Sequence, residues 1–143
     1  MPYRYLEDIA TADAAFEARG KDLAELFLAA SDALMNVMVS DLASIGKSVE
    51  LEFGVEHEEL DLLLFNFLQE IVFFKDARRL LLRVDSVEIS SGNAGYALKA
   101  RASGEELDPE KHDLIVDVKA VTLYRFELRQ TEDGWLANVV LDI

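Results

Sequence analysis

Between residues 22 and 41, apolar side chains return every three or four positions: Leu23, Leu26, Phe27, Ala30, Leu34, Val37 and Met38. That spacing lines one face of a helix and predicts one over residues 23–39. Asp22 stands at its start with Glu25 three places on, and both carboxylates can accept from first-turn N–H groups that have no partner inside the helix. A second helical pattern fills "HEELDLLLFNFLQEIVFFKDARRL". Leu60, Leu63, Leu64, Phe67, Ile71 and Phe74 form its main stripe, and Leu62, Phe65, Leu68 and Phe73 widen it. A helix this apolar is expected at the buried centre of a domain.

The rest of the chain alternates with the period of a strand. "AAFEARG" reads as a short strand ended by Gly20, and "SVELEFGVE" sets Val49, Leu51 and Phe53 against Glu50 and Glu52. Further strands are predicted in "LLLRVDSVEIS", "AGYALKARASG", "LIVDVKAV", "LYRFELRQ" and "GWLANVVLDI", with a turn at "ELDPEKHD". Asp133 and Gly134 in "TEDG" separate the last two runs and predict a hairpin. The expectation is an α+β fold with two helices packed on a largely antiparallel or mixed β-sheet. No linker or repeat divides the chain, and Pro2 and Pro109 fall outside the periodic segments, so residues 1–143 are expected to form a single compact domain.

Composition narrows the chemistry. Hydrophobic residues make up 51% of the 143, enough for a core of a size that disordered chains do not carry. No apolar run is long enough to span a bilayer, and the start "MPYRYLEDIATAD" has acidic residues where a secretion signal would be apolar, which predicts a cytosolic protein with no membrane partner. The absence of cysteine excludes disulfides and thiolate metal sites. Any metal must be held by oxygen or by His57 and His112, which lie far apart and are expected at the surface, His57 as a helix cap and His112 in a charged turn. A net charge of −14 opposes direct binding of RNA or DNA and favours a basic protein or cations. Phosphate loops, nucleophile elbows and zinc-protease motifs are all missing from the sequence.

The final strand carries the most specific chemistry. Alternation turns Trp135, Ala137, Val139, Leu141 and Ile143 one way and Leu136, Asn138, Val140 and Asp142 the other. Ile143 can therefore anchor in the core while Asp142 points away from it, with the terminal carboxylate about one residue's rise distant. Two anions so close call for a shared cation. A third carboxylate would complete an oxygen-only site suited to Ca²⁺ or Mg²⁺. Asp13, set among small residues in "ATAD", is the leading candidate, with Glu7 and Asp8 as alternatives.

At this level of detail the chain resembles the archease family. The likeness runs from "TAD" through "LAELFLAASDALMNVM", "LDLLLFNFLQEIVFFKD", "ELDPEKHD" and "VKAVTLY" to the terminal "VVLDI". The resemblance implies a non-enzymatic accessory protein of RtcB-type RNA ligases, which join RNA ends in tRNA splicing and repair through a covalent ligase–GMP intermediate. It implies promotion of guanylylation and of multiple turnover. It also implies a divalent-cation site, Ca²⁺ or Mg²⁺, at Asp13, Asp142 and Ile143, the last through its terminal carboxylate or backbone oxygen. Lys119 in "VKAVT" matches a family lysine expected at the same surface. Many members carry an acidic residue and a histidine directly before "TAD"; here Ile9 and Ala10 stand there, with Glu7 and Asp8 displaced upstream. Two other readings stand beside this one: a chaperone-like module that holds RNA-processing enzymes by its apolar helices, and a small metal-dependent phosphoesterase, for which the ligand set is too thin.

Overall fold

The computed structural model describes residues 2–6 and 13–143. The first helical pattern becomes α1 (Leu23–Met38), one residue shorter than expected, with the Asp22 carboxylate accepting from Glu25 N at 2.8 Å. The second becomes α2 (Leu60–Arg78). It ends on Arg79 in the left-handed region (φ 54°), whose N–H returns to Phe74 O and closes the last turn without glycine. Among the described residues the strands are seven: β1 (Tyr3–Leu6), β2 (Asp13–Gly20), β3 (Val49–His57), β4 (Leu80–Gly92), β5 (Gly95–Glu106), β6 (Ala120–Thr131) and β7 (Gly134–Asp142).

The fold is α+β, as the pattern predicts, but the strands divide into two sheets rather than one. Their orders are β1-β2-β7-β6 and β3-β5-β4, and every pairing among the described strands is antiparallel. α1 packs on β2 and β4, and α2 on β6 and on all three strands of the smaller sheet, so the helices fill the space between both sheets. Phe67 of α2 stands at the centre, with ring centroids 5.5 Å from Phe27 of α1 and 5.9 Å from Phe53 of β3. All of α2's main stripe except Leu60 and Phe74 is fully buried, and those two pack against the core. The width of its apolar face is therefore explained by contact with strands on two sides.

The β6–β7 hairpin turns through Glu132 and Asp133, with Thr131 opposite Gly134. Gly134 has φ +144°, and a Cβ there would lie 2.2 Å from Gly20 O, so both dihedral and space require glycine.

One expected strand is missing. Within "LIVDVKAV" only Leu114 makes an isolated bridge, to Val39, and regular pairing begins at Ala120. The segment instead crosses from the end of α1 to the end of β7, anchored by Ser40 N to Asp113 O, Ile115 N to Met38 O and Lys119 N to Asp142 O. Apolar β-branched residues satisfied the strand pattern, but the segment cannot join β7, whose two sides are already paired with β2 and β6.

Candidate functional site

β2 and β7 run antiparallel in a register that sets Asp13 directly opposite Asp142, and on the other side of β7 Asp142 stands opposite Ala120. Residues opposite one another share a face of the sheet, so both carboxylates rise from the outer face, away from the helices. The inner face carries Phe16, Ala18, Ala137, Val139 and Leu141, all in the core, with Ile143 partly buried against it. The predicted alternation of the last strand thus holds. Its other face, which carries Leu136 and Val140 as the pattern predicts, is itself covered there, since both are buried.

Lys119 reaches the same edge by its backbone, its N–H donating to Asp142 O at 2.8 Å, while its side chain is exposed. Four sequence-predicted residues, Asp13, Lys119, Asp142 and Ile143, are thereby gathered at one end of the larger sheet. Among the described residues, neither aspartate forms an ion pair. Two carboxylates without a cation between them are a repulsive pair, and their hard oxygens are of the kind that Ca²⁺ and Mg²⁺ take. Among the described residues, His, Asp and Glu side chains form no cluster of three with metal-ligand proximity, so a cation on this pair needs further oxygen from the main chain, the terminal carboxylate or water. Glu7, Asp8, Ile9 and Ala10 lie outside the described residues. One row away on the same face, Leu6, Ala15, Phe126, Asn138 and Val140 line a groove of about 430 Å³.

The approach to this edge is held from beneath by α2. Lys75, only 6% exposed, donates to Val118 O at 2.8 Å and pairs with Asp117 and Asp76. Burial pushes its ammonium pKa down, but the hydrogen bonds and charges of Asp117 and Asp76 outweigh that and raise it. Gln69 Oε1 accepts from Val121 N at 3.0 Å. Sequence reasoning missed both residues. The available signal was a lysine inside the apolar run "IVFFKDARR", which reads equally well as a cation favoured in a helix's last turn.

The histidines stay away from the edge. His57 ends β3, and its Nδ1 accepts from Glu59 N, the N-cap of α2, at 2.9 Å, as a capping role predicts. His112 corrects its expectation: it is buried, because its Nδ1 accepts from Asp108 N at 2.9 Å and the ring is folded under its own turn. Its Nε2 faces Glu105 Oε2 at 3.5 Å. Glu105 also accepts from Lys111 and from Gly46 N, and the Lys111 hydrogen bond, followed by that of Gly46, holds its carboxyl at a pKa of about 2.

This ordering of helices, turn and terminal strand has counterparts. A model of the archease protein family matches residues 3–143. The chain belongs to the archease family. It is 40% identical to protein archease of Pyrococcus abyssi over 134 residues, covering 93% of this chain and 94% of that one. The solution structure of Methanobacterium thermoautotrophicum protein 1598 superposes with a TM-score of 0.85 at 31% identity, covering 99% of both chains. A crystal structure from Thermotoga maritima, described as an archease and possible chaperone, shares the fold at a TM-score of 0.57 and 18% identity, covering 96% of this chain and 97% of that one. Among the described residues of this archease, no helix is long and apolar enough to cross a membrane.

Proposed function

We propose that this archease is a non-enzymatic activator of an RtcB-type RNA ligase, promoting GTP-dependent guanylylation and multiple turnover from its acidic edge. The observation that carries the reading is the register of β2, β7 and β6, which aligns Asp13, Asp142 and Ala120 in one row with Lys119 beside them. Asp13, Asp142 and the terminal carboxylate of Ile143 would hold Ca²⁺ or Mg²⁺. When bound, the cation supplies positive charge beside anionic groups of the partner or its nucleotide. This chain's own residues do the rest: the paired strands fix the two carboxylates, and Lys75 and Gln69 fix the backbone that delivers Lys119. The charge of −14 supports a protein partner over direct contact with RNA.

The test is ligase–GMP formation with purified ligase, GTP and divalent cation. Wild-type archease should stimulate it, while Asp13→Ala, Asp142→Ala and a chain extended by one residue beyond Ile143 should not. Full stimulation by all three variants would overturn the metal-edge reading. The chaperone-like alternative rested on the wide apolar face of α2, and most of that face lies in the core.

A further inference from the structure

Leu114, Ile115 and Val116 expose three consecutive apolar side chains, with Ile115 56% exposed. A single exposed isoleucine is ordinary, but a run of them on an anchored backbone is not. The anchors lie on both sides of the run. Upstream, Ser40 Oγ donates to Asp113 Oδ2 at 2.6 Å and the Leu114–Val39 bridge ties the segment to the end of α1. Downstream, Val118 is fully buried, its carbonyl held by Lys75, and Lys119 N holds the end of β7. The chain thus forms a rigid apolar strip ending at the carboxylate edge. Presenting it to a partner would cost little ordering entropy.

The surroundings select the occupant. Asp113 is exposed beside the strip, Asp76 and Asp117 flank it with half or more of their side-chain surface exposed while sharing the one Lys75 cation, and Asp142 lies at its far end next to exposed Lys119, so that carboxylates still outnumber cations around it. A second copy of this chain would bring acidic rim against acidic rim at −14 per molecule, and RNA or an anionic membrane would be repelled in the same way. A protein face with an apolar centre and a basic rim satisfies both parts of the surface. We infer that the strip at residues 114–116 is the docking surface for such a basic-rimmed protein, seated so that the Asp13–Asp142 edge is carried to its active site. The inference rests on the ligase reading above, and the ligase is the probe that tests it.

Affinity of the purified ligase for archease is measured by calorimetry, alongside divalent-cation binding to archease alone. The double variant Ile115→Asp/Val116→Asp should bind the ligase roughly tenfold or more weakly, while its cation affinity and circular dichroism stay those of wild type. Leu123→Asp/Tyr124→Asp provides the control: these residues are at least as exposed as Ile115 and Val116, in the irregular part of β6 where pairing with β7 skips from Thr122 to Glu127. It should bind the ligase as wild type does. If wild type binds and the strip variant binds equally well, or if only the control variant loses affinity, the strip is not the docking surface while the ligase reading survives. If wild type shows no affinity for the ligase, the ligase reading and this occupant fall together. A self-associated archease that the strip variant turns monomeric would assign the strip to a second copy and overturn the inference.

Discussion

Asp13 and Asp142 face one another across an antiparallel pair, a placement that costs stability on the order of a few tenths of a kcal/mol unless a cation stands between them. Asp13→Asn should therefore leave the cation-free protein as stable as wild type or slightly more so. Ca²⁺ or Mg²⁺ at about 100 times its Kd should stabilise wild type by about 2.7 kcal/mol and the variant hardly at all. Thermal unfolding with chelator and with each cation reads both arms. Glu105 gives the second prediction at this scale. Its folded pKa lies near 2, below the ordinary carboxyl value, so its contribution is complete above about pH 4.5 and is lost as pH falls towards 2. Urea unfolding from pH 6 to pH 2.5 should show Glu105→Gln losing less stability over the acid range than wild type does. The direction of Asp142 was legible in the sequence because a strand's alternation dictates where it points, whereas its pairing with Asp13 was implied only by the family resemblance. Burial of His112 was not legible, because Glu105, which its Nε2 faces, is also held by Gly46 N, 59 residues away in the chain.

Helices were readable because their periodicity is local: α1 ends one residue short of its pattern, and α2 starts three residues and ends two residues inside its own, because His57 still belongs to β3. Sheet partition was not, since pairing β3 with β5 and β2 with β7 joins segments tens of residues apart, and alternation says which face a residue takes but not which neighbour it finds. The same blindness made residues 114–119 look like a strand when they are a strap. That strap leads to the third prediction. Lys75→Met keeps the aliphatic stem but leaves Val118 O without its charged donor and Asp117 without its partner. Loss of a hydrogen bond to a charged group costs about 2 kcal/mol, which for a chain of this length lowers Tm by several degrees. Amide exchange should accelerate first at Lys119 and Val121, whose bonds to Asp142 O and Gln69 Oε1 flank the released carbonyl. Lys75→Arg should recover part of that protection through the same carboxylates. If stability falls while Lys119 exchange stays that of wild type, Lys75 supports the core but does not position the edge.

Taken whole, the molecule carries twice as many acidic as basic side chains, 28 against 14, and that imbalance acts in opposite directions on stability and on encounter. Repulsion among like charges destabilises the compact state, and salt screens it over a Debye length of about 10 Å at 0.1 M. Raising NaCl from about 0.05 to 0.5 M should therefore raise Tm, and the rise should be common to wild type and the strip variant because neither changes the distributed charge by more than a small fraction. Attraction towards a basic partner is screened by the same ions, so the association rate with the ligase should fall steeply over that range while the dissociation rate changes little. The strip variant should invert the kinetic pattern, since its fault lies in apolar contact: its dissociation rate should rise, and its association rate, with two carboxylates added at the contact, should depend on salt at least as steeply as that of wild type. Stopped-flow association at several salt concentrations separates the two terms. An association rate indifferent to salt would mean that the acidic surface serves solubility alone and that the partner's rim is not basic.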